Sequence, residues 1–257
     1  MTRHIDFDAI ENFRDFGGYG TASGRTVRRG LLYRSANHAY ASEADLRRMG
    51  ELGLAAIIDL RRTEERTREP SRRWQGFSAT VIENDIRSEH PDWAEAMRGV
   101  EIDAQWFLDD GIGYYRRAPF EARHIDLFNR YFQTLAGAEG AIVVHCAAGK
   151  DRTGLICALT LHVLGVDADD IVADYLLTND ESRIARKMAF LGPWLRDNVG
   201  KAVDEAALRV AVSVSSTYLE TALGVICATH GSIDGYLTEV LGVDAGLRDR
   251  LQARLLA

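Results

Sequence analysis

The stretch AIVVHCAAGKDRTGLICALTLHVL occupies residues 141–164 and carries the pattern that decides the fold. Its first four residues, 141–144, are apolar and mostly β-branched, which predicts a buried strand. Residues 155–164 are apolar nearly all round, which predicts a helix deep in the core. A short loop of small and polar residues joins the two, so the stretch predicts a strand, a tight loop and a buried helix.

The same alternation continues on both sides of this stretch. Short apolar runs at 31–33, 55–60 and 79–82 predict further strands, and the intervening segments predict helices at 43–52, 93–107 and 122–135. Ser42 is suited to cap the first of these helices, and Asp92 is interpreted as the cap of the second. Beyond about residue 167 the pattern is helical, with helices predicted at 168–177, 182–195, 204–210, 216–229 and 232–240 and at the end of the chain.

Strands that alternate with helices predict a parallel sheet. We therefore predict an α/β fold with a central, mostly parallel sheet flanked by helices and with a helical C-terminal part at about 167–257. No linker or repeat divides the sequence, so residues 1–257 are expected to form one domain.

The loop at residues 145–153 has the residues that phosphate binding requires. A helix N-terminus presents unpaired N–H groups and a partial positive charge. The small residues Ala147, Ala148 and Gly149 allow the backbone to curl its N–H groups around an anion. Arg152 follows Cys146 by six residues and can bring its planar fork to two phosphoryl oxygens. The loop is therefore predicted to hold a phosphate group.

Cys146 lies where a nucleophile would attack that phosphate. A positive environment favours the thiolate form, which is the reactive one. Thr153 can donate its hydroxyl to the sulfur as the sulfur leaves in a second step. The other two cysteines lack this pattern, because Val163 and Ile233 stand six residues after Cys157 and Cys227.

Composition narrows the function classes further. The formal net charge is −7, which argues against a nucleic-acid binder. Three cysteines suggest reduced thiols, and the sequence has no metal-ligand spacing. We expect no metal and no other cofactor. The first eight residues have no apolar run, and residues 155–164 are too few to span a bilayer. We expect a chain without a transmembrane segment that is cytoplasmic, or exported without a classical signal peptide.

The loop resembles the H-C-x-x-G-K-D-R-T-G signature of the atypical bacterial tyrosine and phosphoinositide phosphatases. Further segments match in family order: N-F-R-D at 12–15, Y-R-S at 33–35, D-L-R with Glu65 at 59–65, and segments at 171–180 and 231–237. The resemblance implies a tyrosine-phosphatase-like fold and a hydrolase that forms a cysteinyl-phosphate intermediate without a metal. Cys146 matches the nucleophile, Arg152 the phosphate clamp, and Lys150 and Asp151 an unusual pair that implies action on phosphoinositides as well as phosphoproteins.

The sequence does not identify the general acid, because it lacks the W-P-D sequence that carries this residue in eukaryotic relatives. Asp85 follows the predicted strand at 79–82, near the position of the acid in a relative, and is preferred slightly over Asp151 in the loop. Behind the loop, His145, Asp59, Arg61 and Arg14 are candidates for orienting the site. For Asp59 and Arg61 an internal ion pair is an equal alternative. Tyr114 and Tyr115 are expected to pack within a helix.

These patterns predict a phosphate monoester hydrolase of the protein tyrosine phosphatase type. Its substrates would be phosphotyrosine and, in addition, phosphoserine, phosphothreonine or phosphoinositides in proteins, peptides or lipids, and inorganic phosphate would be its product. Three alternatives stay open: an enzyme acting mainly on phosphoinositides, a rhodanese-like sulfurtransferase or arsenate reductase, and a non-catalytic phosphate-binding module.

Overall fold

A computed structural model describes residues 3–91 and 93–257 of the chain. Within them, five strands form a single sheet in the order β1-β2-β5-β3-β4. The strands are β1 (Arg14–Asp15), β2 (Leu32–Ser35), β3 (Leu54–Asp59), β4 (Thr80–Ile82) and β5 (Ala141–His145). Only the short β1 is antiparallel to its neighbour, and the other pairs are parallel. The predicted mostly parallel sheet is confirmed.

The register of the sheet determines what meets at its carboxyl edge. In β5, His145 lies opposite Ser35 of β2 on one side and opposite Asp59 of β3 on the other. Because parallel strands end at the same edge, the residues that follow all three strands converge beside Cys146. This edge is where ligands bind in open α/β sheets.

Helices flank the sheet and form the whole C-terminal part, as predicted. Those of the described residues are α1 (Glu43–Glu51), α2 (Thr63–Arg68), α3 (Trp93–Ala96), α4 (Ala104–Arg117), α5 (Ala122–Gly137), α6 (Asp151–Val163), α7 (Ala168–Leu176), α8 (Glu181–Asn198), α9 (Glu205–Val212), α10 (Ser216–His230), α11 (Ile233–Glu239) and α12 (Ala245–Leu255). Ser42 caps α1 in a capping box with Asp45, as its position predicted.

Both faces of the sheet are buried, and alternate residues of β5 point to different apolar clusters. Ile142 and Val144 pack with α5, α6 and α10, whereas Ala141 and Val143 pack with the α1 side. Helix α6 is buried on nearly every side. Each large apolar side chain buried in this way contributes about 1.5–3 kcal/mol. The helix that follows the loop is therefore fixed in place by the main core.

A third apolar cluster lies outside the sheet, between α4, α8 and α9, and includes Phe107, Ile184, Leu195 and Val212. Within the described ranges no single helix is long and apolar enough to cross a membrane. Only α9 and α10 taken together, across a bend of 46°, have the length and composition to do so.

The prediction of one helix at 93–107 is wrong. The chain forms the short α3, turns at Gly99 with a φ of 78°, and begins α4 after Asp103, whose side chain accepts from the N–H of Trp106 at 2.7 Å. A left-handed glycine ends a helix, and an aspartate starts the next one. The predicted cap at Asp92 lies outside the described residues.

Candidate active site

The loop between β5 and α6 is the centre of the site. Cys146 directly follows β5 and is 2% exposed, and Ala147 and Ala148 are half-buried. Gly149 has a φ of 64°, and a Cβ at this position would lie 2.4 Å from the carbonyl oxygen of Ser35. Only glycine fits such a conformation and such a close approach. Helix α6 begins at Asp151, four residues before the apolar run at 155–164 from which it was predicted.

The carbonyl groups of the loop are held on its outer side. The N–H of Asn37 donates to the carbonyl of Ala147 at 3.1 Å. The Asn12 amide donates to the carbonyl of Gly149 at 2.8 Å and to the preceding carbonyl at 3.4 Å. In a trans peptide the next N–H points away from the carbonyl, so the N–H groups of residues 148–150 point to the inner side. Among the described residues no hydrogen bond uses these N–H groups, which form a cradle for an anion.

Arg152 reaches the loop from the first turn of α6 and is fixed by Glu65 of α2. Its Nη1 and Nη2 bond the two carboxylate oxygens of Glu65, the latter at 2.8 Å, and Nη1 also donates to the carbonyl of Leu60 at 3.2 Å. Burial lowers the pKa of Arg152, but Glu65 outweighs burial and leaves that pKa well above its ordinary value. Conversely, burial raises the pKa of Glu65, and Arg152 reverses this and lowers it to about 2.

These bonds do not use all the N–H donors of the Arg152 guanidinium. A guanidinium has five N–H donors. Two are used by Glu65 and one by Leu60, so Nε–H and one N–H of Nη2 remain, and no hydrogen bond of the described residues uses Nε. These two groups lie on the same edge of the planar fork. They are suited to bind two oxygens of one phosphoryl group.

Two arginines share a single carboxylate beneath the loop. Arg34 donates to Asp174 at 3.1 Å and to the carbonyl of Gly149 at 3.0 Å. The Nε of Arg14 lies 3.8 Å from Asp174, and both arginines have 0% exposure. Burial, and then the charge of Arg34, lower the pKa of Arg14 to about 9, so both arginines are charged at neutral pH. The cluster carries one surplus positive charge, which favours an anion in the loop.

The two histidines behind Cys146 are neutral. His145 stacks on His38 with ring centroids 4.2 Å apart, and its Nε2 lies 3.5 Å from Asp59. Burial lowers the pKa of His145 to about 4, although Asp59 opposes this. Asp59 and Arg61 form a buried ion pair at 2.7 Å, in agreement with the internal ion pair that the sequence left open. His145 therefore packs behind the loop as an uncharged side chain.

Asp151 is the acidic group of the loop itself. Its Oδ1 accepts from the hydroxyl of Tyr115 at 3.1 Å, its Oδ2 lies 3.7 Å from Nζ of Lys150, and its side chain is 31% exposed. It therefore combines access to solvent with a fixed orientation. Asp85, by contrast, is 80% exposed and accepts from Thr63 and Arg66 of α2.

The remaining loop side chains point away from solvent. The ammonium of Lys150 donates to the carbonyls of Ala211 at 2.7 Å and Ser213 at 3.2 Å, at the C-terminal end of α9. A cation is favourable at this end of a helix. Thr153 has 0% exposure, and its hydroxyl has no hydrogen-bond partner among the described residues. This leaves the hydroxyl free for a group that enters the loop.

Several residues of this arrangement were not assigned roles from the sequence. Asn12, Arg34 and Glu65 stand in the segments that resemble the phosphatase family, and this was the signal that could have identified them. Tyr115 was expected to pack in a helix, which it does, but its hydroxyl also contacts Asp151. Each of these four residues bonds a loop residue that lies far from it in sequence, so spacing alone could not reveal the contact.

Known proteins match this chain over almost its whole length. The model of the tyrosine phosphatase family matches residues 5–257. A protein of Cupriavidus necator, assigned by its name to the tyrosine-protein phosphatases, is 36% identical over an alignment of 247 positions, which covers 94% of this chain and 86% of that protein. The triple specificity protein phosphatase PtpB of Mycobacterium tuberculosis is 28% identical over a gapped alignment of 284 positions, which covers 95% of this chain and 96% of PtpB.

The chain therefore belongs to the tyrosine phosphatase family. It is an enzyme, a hydrolase of phosphoric monoesters, and the resemblance to bacterial tyrosine phosphatases is confirmed. Membership also decides against a sulfurtransferase and against a non-catalytic phosphate-binding module.

Proposed function

We propose that this phosphatase hydrolyses phosphotyrosine through a cysteinyl-phosphate intermediate, with Cys146 as nucleophile, Arg152 as phosphate clamp and Asp151 as general acid. The observation that carries the proposal is the loop, in which outward-held carbonyls leave inward N–H groups and the arginine keeps two free donors. Residues 1–257 would form one phosphatase domain around it.

In the first step the sulfur of Cys146 attacks phosphorus as the bond from phosphorus to the leaving oxygen breaks. Asp151, in its carboxylic acid form, gives its proton to that oxygen, and the phenol leaves. The N–H groups of residues 147–152 and the fork of Arg152 bind the phosphoryl oxygens, where they stabilise the charge of the transition state.

In the second step a water molecule attacks the phosphorus of the intermediate. The carboxylate of Asp151 takes a proton from the water, the S–P bond breaks, and inorganic phosphate and the thiolate are released. Thr153 is placed one helical position after Arg152, with a buried hydroxyl available to bond the departing sulfur. His145, Asp59, Arg61 and Arg14 would act behind the loop by fixing its shape.

Asp151 is preferred to Asp85 as the acid because of where each carboxylate lies. Asp85 is 80% exposed and is held at the surface through its Oδ1 by Arg66 and Thr63 of α2. Asp151 lies beside Arg152 in the loop itself and is only 31% exposed. A general acid must first be within reach of the leaving oxygen.

The preferred substrate is proposed to be an aryl monophosphate. The Nζ of Lys150 is bound by two backbone carbonyls, so this lysine does not offer a free charge to a second phosphate. Phosphoserine, phosphothreonine and phosphoinositides are further candidate substrates, since the relative from M. tuberculosis carries the name of a triple specificity phosphatase.

The proposal is tested with the purified chain in the presence of a metal chelator. Turnover of a phosphotyrosine peptide should persist, vanadate should block it, and Cys146→Ser should abolish it. Cys157→Ser is the matched control, because Cys157 is also buried but lies in the core of α6, and it should keep its turnover. Turnover by Cys146→Ser within tenfold of the wild type would contradict a cysteine nucleophile.

The same preparation settles the substrate class. A panel of phosphotyrosine peptides, phosphoserine peptides, and phosphoinositides with one and with two phosphates would be compared by kcat/KM. The proposal expects phosphotyrosine to be preferred. A preference for the lipid with two phosphates would instead favour a phosphoinositide phosphatase.

A further inference from the structure

The hydroxyl of Tyr115 occupies a buried position between two other polar groups. Tyr115 lies in α4 and is 1% exposed. Its oxygen is 3.1 Å from Oδ1 of Asp151 and 2.7 Å from the hydroxyl of Tyr175 in α7. The three side chains form a short hydrogen-bonded chain that ends at the acid proposed above.

The direction of each hydrogen bond follows from the number of protons. A phenol has a single O–H donor, and an ionised carboxylate only accepts. Tyr115 must therefore give its proton to Asp151, and Tyr175 must give its own to Tyr115. Burial, and then the charge of Asp151, raise the pKa of both phenols well above the ordinary value, so both remain donors.

This arrangement distinguishes the two oxygens of Asp151. As long as Tyr175 donates to Tyr115, the O–H of Tyr115 stays directed at Oδ1, so the transferable proton belongs on Oδ2. No hydrogen bond of the described residues uses Oδ2, and the ammonium of Lys150 lies 3.7 Å from it. The bond to Tyr115 thus fixes the carboxyl plane and assigns the proton to the other oxygen.

Two glycines hold the tyrosine rings in position. The ring of Tyr115 stacks on Tyr218 at 5.5 Å, and a Cβ on Gly111 of α4 would lie 2.7 Å from the ring of Tyr218. A Cβ on Gly154 of α6 would lie 2.7 Å from the ring of Tyr175. Close packing of this kind leaves the rings little freedom to rotate.

We propose that Tyr115 is a positioning residue for the reaction, which orients the carboxyl group of Asp151 towards the leaving oxygen, with Tyr175 supporting it. The proposal rests on the function proposed above. The simpler alternative is that the bond only ties α4 to α6, in which case its loss would affect stability and would slow every substrate equally.

The test compares two substrates of similar shape, phenyl phosphate and p-nitrophenyl phosphate. Phenolate needs a proton to leave, whereas p-nitrophenolate leaves readily without one, and kcat/KM covers only the steps up to the intermediate. In the full-length Tyr115→Phe variant, kcat/KM for phenyl phosphate should fall about tenfold, the effect of one orienting hydrogen bond, and that for p-nitrophenyl phosphate less than about threefold.

Tyr131→Phe is the matched control. Tyr131 is also 1% exposed, and among residues 3–91 and 93–257 its hydroxyl bonds only Thr160, at 3.0 Å, inside the core. This variant loses the same atom from a buried tyrosine but should slow both substrates equally. Tyr175→Phe leaves the O–H of Tyr115 in place. Its kcat/KM should again fall more for phenyl phosphate than for p-nitrophenyl phosphate, but the fall for phenyl phosphate should be only about twofold to threefold. It is the second test if Tyr115→Phe does not fold.

A double variant decides whether Tyr115 acts through Asp151. In an Asp151→Asn background, adding Tyr115→Phe should change kcat/KM by less than about twofold, because the effects of coupled residues are not additive. Equal loss for both substrates, or full additivity, would overturn the proposal while Cys146→Ser stayed inactive. Activity of Cys146→Ser would overturn the proposed function itself.

Discussion

Replacing Glu65 with glutamine tests the ion pair that holds the phosphate clamp. The pKa of Glu65 is lowered from 4.5 to about 2 in the folded chain, and its side chain is 20% exposed. This lowering of the pKa corresponds to about 3 kcal/mol of favourable interaction of the charged form. Glutamine keeps the shape and one acceptor, so Glu65→Gln should lower the free energy of unfolding by about 2–3 kcal/mol at pH 7.

The pH dependence of this loss has a definite sign. A carboxylate with a depressed folded pKa stabilises the fold above its unfolded pKa, and this contribution disappears as the pH falls through the folded value. The difference between wild type and Glu65→Gln should therefore be complete above about pH 5, shrink below pH 4.5, and be less than about half as large at pH 3.

Urea denaturation at several pH values measures this difference, and Glu64→Gln is the matched control. Glu64 is the neighbouring residue of the same helix, has the same charge, and is exposed. Its variant should change stability by less than about 0.5 kcal/mol. In Glu65→Gln, kcat/KM should also fall about tenfold or more as Arg152 loses its fixed orientation. A loss of stability below 0.5 kcal/mol, or one independent of pH, would refute the role assigned to the pair.

Three further predictions concern the loop and its surroundings. Gly149→Ala should destabilise the fold by about 2 kcal/mol or more by urea denaturation, and should weaken inhibition by vanadate, because its φ is 64° and the added Cβ would clash with the Ser35 carbonyl. Lys150→Met should cost about 1.5–3 kcal/mol by thermal or urea unfolding, since two carbonyls of the α9 end lose a charged donor, without a selective loss of activity on substrates with two phosphates. Asp85→Asn should change kcat/KM less than about threefold, and equally for phenyl and p-nitrophenyl phosphate, because this carboxylate is exposed and paired with Arg66; a selective loss on phenyl phosphate would make Asp85 the acid.

The sequence was sufficient for the parts of the fold that rest on local pattern. The buried strand at 141–144, the loop and the all-apolar helix were read from one stretch, and the helical C-terminal part from its periodicity. The short α2 was not predicted because it has no buried face and therefore no hydrophobic period. The break between α3 and α4 was not predicted because the helical sequence pattern continues across Gly99, whose left-handed backbone interrupts the helix.

In the candidate site, too, the residues within one segment were predictable and the long-range contacts were not. Cys146, Arg152 and the small loop residues lie within one segment, so their spacing was enough to predict a phosphate loop. The bonds that shape the loop are long-range: Asn12 lies 137 residues from Gly149, and Glu65 lies 87 residues from Arg152. The sequence favoured Asp85 over Asp151 as the general acid because of its position after a predicted strand. The contacts and the exposure of the two carboxylates, which favour Asp151, become visible only in the folded molecule.

In the proposed reaction, phosphate passes through the sulfur of Cys146. This is measured by rapid quenching of the full chain with a phosphotyrosine peptide, followed by digestion and mass spectrometry. We predict one phosphoryl group on the peptide that contains Cys146, formed within the first turnover and released on further incubation. A first turnover that yields inorganic phosphate with no labelled peptide, or with the label on another residue, would contradict it.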